Sequence, residues 1–152
     1  PACVKCHKPG EEKTEKAKSA HETHAQKLSC GSCHASGQYR NCFDCHLGKG
    51  ATSKPNFILG LSPRDKKTIT TLRLIPTVRD TFKSAGITME NYDALPNYWD
   101  ATPHNIKKRT ERTRSCDVCH EDKAGFLTKE KLIKDGSKAN EGLIYEPKSI
   151  NK

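Results

Sequence analysis

Apolar residues are sparse along this 152-residue chain and fall in short clusters separated by long polar stretches, so no single periodicity runs through it. Residues 11–24 follow a Pro9-Gly10 break, favour helix and carry acids at their start, which predicts a helix. Residues 68–75, Thr-Ile-Thr-Thr-Leu-Arg-Leu-Ile, are rich in β-branched side chains and stop at Pro76, the best strand candidate in the chain. Residues 49–67, with their Gly, Pro and Ser, read as an irregular loop. Two short helices are expected near 78–85 and 88–94. A third is expected over 129–135, capped by Thr128 and closed by Gly136. The last sixteen residues read as an extended or partly mobile tail. The longest hydrophobic run, from Phe57 to Leu61, is far too short to cross a bilayer as a helix, so no transmembrane segment is expected. The pattern predicts a mostly irregular fold with short α-helices and minimal β structure.

Composition sharpens the problem. Only 33% of the side chains are hydrophobic, too few for a large conventional core, and composition alone would lean toward disorder. Something other than side chains has to supply apolar surface if the chain is to fold.

The cysteines identify it. All eight lie in Cys-x-x-Cys-His motifs: Cys3 and Cys6 with His7, Cys30 and Cys33 with His34, Cys42 and Cys45 with His46, Cys116 and Cys119 with His120. Two thiols at this spacing can add to the two vinyl groups of one haem while the adjacent imidazole takes the iron from the proximal side. Zinc sites and dithiol redox pairs also use Cys-x-x-Cys, but neither requires a histidine at the same offset four times, and disulfides leave those histidines unexplained. The motifs therefore predict four covalently bound haem c groups. Four large apolar macrocycles would supply the missing core. We expect one haem-centred domain over residues 1–152, with a three-haem block at 1–46, a haem-free insertion at 47–115, and the fourth haem and tail at 116–152.

The formal charge of +9 then loses much of its significance. Haem propionates bring the assembled protein to about +5 when oxidised and about +1 when reduced. The densest basic run, Lys107 to Arg114, has no interleaved aromatics. It reads as a solvated face, a propionate clamp or a steering patch for an acidic redox partner, and no nucleic-acid partner is expected.

Three histidines remain for the four distal positions: His21, His24 and His104. All three precede haem motifs and are distal-ligand candidates, with His21 and His24 on one helix face. The set is one short, and identical subunits trading histidines would not close the gap. Met89, the sole methionine, is a further sixth-ligand candidate, although a single methionine near Ile87 also reads as core filling. The haem at Cys3/Cys6, next to the start of the sequence, is the expected anomaly. That start, at Pro1 without a methionine or signal peptide, predicts either upstream processing or the C-terminal part of a larger multihaem protein.

The chain resembles the multihaem c-type cytochromes, most strongly over residues 1–46 and 104–120. In the small low-potential members of the c3 type, a His-x-x-His segment precedes a haem motif, its first histidine serving the following haem and its second a different one. By that resemblance His21 would complete the Cys30/Cys33 haem, His24 would reach another, and His104 a third. The long insertion departs from that pattern. The resemblance implies export to the periplasm or cell exterior and electron transfer to redox proteins or extracellular acceptors, with self-association through end haems into a filament as its extreme form. The alternative is a multihaem reductase with one five-coordinate catalytic haem, its pocket lined by Tyr92, Tyr98, Trp99 and His104.

Overall fold

The computed structural model describes residues 3–35, 57–75, 77, 79–101 and 105–150. Helix α1 spans Glu15–His24, four residues shorter than expected. The lost turn has a local cause. Gly10 has φ of +105°, and its N–H donates to the Glu12 carboxylate at 2.8 Å, so the chain folds back before Thr14 caps the helix by accepting from Ala17 N–H.

The strand expected at 68–75 is β2, Ile69–Leu74, the centre of a three-stranded antiparallel sheet between β1, Phe57–Leu61, and β3, Tyr98–Asp100. β1 corrects the loop expected over 49–67 within its described part. A five-residue apolar run is too short for a helix but suits a strand covered on both faces. Register places Leu59 opposite Thr71 and Ile58 opposite Leu72, so the sheet has two distinct apolar faces. One gathers Leu59, Ile69 and Phe126 with Leu28, Leu61, Cys119 and Tyr145. The other gathers Ile58, Leu72, Tyr98, Leu127 and Leu143.

That second cluster corrects the expectation of an extended or partly mobile tail at residues 138–143, while 144–150 carry no helix or strand. Residues 138–143 form a 3₁₀ helix whose Asn140 and Leu143 are fully buried. Gly60 makes room for it: a Cβ there would lie 2.7 Å from Leu143 O. Asn140 Oδ1 accepts from Asn97 N–H at 2.7 Å, its Nδ2 donates to Asn97 Oδ1, and Ser137 N–H donates to the same oxygen. These buried amides are therefore mutually satisfied.

The helices expected near 78–85, 88–94 and 129–135 shrink to 3₁₀ turns at Lys83–Ala85, Tyr92–Ala94 and Lys129–Lys131. Left-handed Asp80, at φ +62°, and Gly86, at +73°, flank the first turn, while extended Leu95 and Leu132 end the other two.

Asp65 closes the β1–β2 connection. The Thr68 hydroxyl, then the N–H groups of Thr68 and Lys67, hold its carboxyl down at about 2. Its contribution is complete above the unfolded carboxylate value, near ~4, and is lost as pH falls through the folded value. Acid titration of stability should show a loss within that window that the Asp65→Asn variant lacks.

Candidate haem-binding site

Each described motif folds as a helical turn. His7 N–H donates to Cys3 O at 2.9 Å, α2 spans Cys30–His34, and α3 spans Asp117–His120 with His120 N–H donating to Cys116 O at 3.0 Å. In such a turn residues i, i+3 and i+4 share one face, so two thiols and an imidazole point the same way. Cys42, Cys45, His46 and His104 lie outside the described residues.

α2 and α3 are seated on the sheet. Ser32 Oγ donates to Ile69 O at 3.0 Å, Ser29 N–H donates to the same oxygen at 2.9 Å, and Cys119 packs into the Leu59 cluster. The basic run joins the two helices rather than standing free. Thr110 Oγ1 donates to Cys33 O, Arg112 Nη1 donates to Ser32 O at 3.1 Å, and the 3₁₀ turn Glu111–Thr113 packs against both α2 and α3. Lys108 and Arg109 remain exposed.

α1 brings the spare histidines to these motifs. The His21 ring centre lies 6.0 Å from that of His34, and the His24 centre 6.3 Å from that of His120. An imidazole nitrogen sits about 2 Å from a first-row metal with the ring centre about 1.1 Å beyond, so imidazoles on opposite faces of one iron have centres about 6.2 Å apart. Both pairs have that separation.

The ring nitrogens agree with it. Nδ1 of His24 donates to Ala20 O at 2.7 Å, that of His34 to Lys107 O at 3.0 Å, and that of His120 to Lys148 O at 2.6 Å. A carbonyl oxygen only accepts, so these Nδ1 atoms carry the proton and leave the Nε2 lone pairs for a metal. His21 Nδ1 is buried and lies against Glu12 Oε1 without a well-angled hydrogen bond.

The competing chemistries fit less well. Among the described residues no group of three or more His, Cys, Asp or Glu is arranged to hold a metal ion on its own, as a zinc site would require. Reactive dithiols need lowered thiol pKa values. Burial instead pushes the thiols of Cys30, Cys33 and Cys119 up, further aided at Cys30 by Cys3 and at Cys33 by Cys119, with Arg112 opposing at Cys33 and Cys119. The donor set fits covalently bound haem.

Elsewhere, a cleft of about 720 Å³ on the insertion is lined by Met89, Tyr92, Leu95 and Trp99, among others. The pocket expected there needs correcting at Tyr98. Its ring belongs to the core, its hydroxyl donates to Lys131 O at 3.0 Å, and burial raises its pKa against the lowering effect of the Ile133 backbone.

Several contributors carry no sequence signal. The acceptors on His34 and His120 are backbone carbonyls, which any residue type provides. Glu12 is one of two consecutive glutamates; its signal would have been the Gly10 turn folding it toward the histidine face.

The family described as cytochrome c554 and c-prime matches residues 1–35, the stretch that holds the first two motifs, His21 and His24. No curated protein and no solved structure matches the chain. The match supports a c-type cytochrome, and with it covalently bound haem c and electron transfer. No helix among the described residues is long and apolar enough to cross a membrane.

Proposed function

We propose that the chain is a tetrahaem electron carrier or conduit of the periplasm or cell exterior. Haem would be held at Cys3/Cys6, Cys30/Cys33, Cys42/Cys45 and Cys116/Cys119, with His7, His34, His46 and His120 proximal. The observation that carries this reading is the pair of histidine couples, His21 with His34 and His24 with His120, at the span of one metal and with the Nδ1 sides engaged. His104 is assigned to a third iron.

Bound haem supplies a one-electron ferric/ferrous couple, and bis-imidazole ligation favours a low potential. The protein's part is positional. α1 serves two motifs at once, because histidines three residues apart face a common side and reach α2 and α3 respectively. The Thr110–Arg112 strap and the sheet hold those helices in place, so the imidazoles need little rearrangement when the charge on a metal changes. Redox proteins or extracellular acceptors would be the partners, and the solvent-exposed Cys3/Cys6 motif is the natural end for contact with a second copy in a filament.

The shortfall of one histidine for four irons favours a second reading, a reductase with one five-coordinate haem. Counting the haems tests what both share. Intact mass should show four haem additions and no thiol open to alkylation. Alkylatable cysteines in the matured protein would contradict it.

A further inference from the structure

The two histidine couples differ in one respect that bears on redox behaviour. His24, His34 and His120 each donate Nδ1–H to a neutral carbonyl, whereas His21 alone faces a carboxylate. That carboxylate is fixed. Glu12 Oε2 accepts from Gly10 N–H at 2.8 Å, its side chain is only 15% exposed, and Oε1 is turned to the ring. A glutamate carboxyl is ordinarily ionised near neutral pH, and this one is held by the Gly10 N–H on one oxygen and turned to the His21 ring with the other.

An anion against the back of an imidazole makes the ring a stronger donor and favours the more positive metal state. With 15% of its side chain exposed, it is screened less than a free surface carboxylate. We propose that Glu12 sets the haem held by His21 and His34 to a lower reduction potential than the haem held by His24 and His120. The two centres are thereby ordered in energy, and electrons at equilibrium reside on the His24/His120 side. Arg112 does not produce this difference. It sits on the 3₁₀ turn packed against both α2 and α3, so its charge is shared by the two motifs rather than confined to one.

This inference rests on the ligation proposed above, and the test separates the two. Haem-loaded wild type, Glu12→Gln, Glu12→Asp, Glu22→Gln and His21→Ala proteins are titrated with dithionite, one electron per haem, and each low-spin ferric signal is followed by electron paramagnetic resonance. Glu12→Gln keeps the shape and removes the charge, so the midpoint of one centre should rise while the others hold. Glu12→Asp draws the charge back from the ring and should give a smaller rise in the same direction, which decides the matter even if the Gln protein fails to load. Removing the exposed charge of Glu22 should move no midpoint comparably. Unchanged midpoints at position 12, in a protein whose His21→Ala variant still loses a low-spin centre, would overturn the role of Glu12. A His21→Ala variant that keeps every low-spin centre would instead overturn the ligation.

Discussion

Replacing His21 with alanine should convert one of the low-spin ferric haems to high spin, and replacing His24 should convert a different one. The two rings are only three residues apart on α1, yet they face separate partners, His34 at 6.0 Å and His120 at 6.3 Å. Loss of a distal imidazole leaves its iron with the proximal ligand alone and a weaker field, so the change is all or none at that centre. The double variant should lose two low-spin centres, and its electron transfer should slow well beyond either single change. Resonance spectra of the oxidised single and double variants provide the check. One shared centre for both residues would refute the pairing.

Leu143→Ala should destabilise the protein by about 2–5 kcal/mol, the range for emptying a buried leucine site. Leu143 is fully buried against Ile58, Leu72, Tyr98 and Leu127, and its carbonyl closes on Gly60, so the site has little room to collapse. Chemical denaturation followed by circular dichroism measures this. The same variant should loosen the segment that brings Lys148 O to His120 Nδ1. An effect below ~1 kcal/mol would be that of a surface position and would mean that the tail is not part of the core.

These two cases show where the sequence was informative. Cys-x-x-Cys-His and His-x-x-His are local patterns in which chemistry and helical spacing decide which side chains share a face. Their residues could be named before any fold was known. β2 was legible too, because its β-branched run ends at a proline. The tail was not. Leu143 and Asn140 are buried only because Gly60, Leu72 and Asn97 meet them from distant parts of the chain, and residues 137–150 carry no periodicity that announces this. β1 was obscured for a related reason, since a short apolar run covered on both faces lacks the alternation that marks an amphipathic strand. The orientation of the four histidine rings was hidden for a third reason. Three of the four Nδ1 atoms donate to backbone carbonyls, and the contact of the fourth with Glu12 depends on a turn at Gly10.

The basic run shows how a charge pattern misleads when read alone. Thr110 and Arg112 point inward to the backbone of α2, so part of what reads as a solvated or docking face is a strut between two haem motifs. Exposed charges of the run, Lys107, Lys108 and Arg109 among them, are left for steering partners.

The most direct test of the account is anomalous X-ray diffraction at the iron edge from crystals of the matured protein. Four iron peaks are predicted, one between His21 and His34 and another between His24 and His120. An iron bound to any one of these histidines with a different residue opposite, or fewer than four peaks, would contradict it.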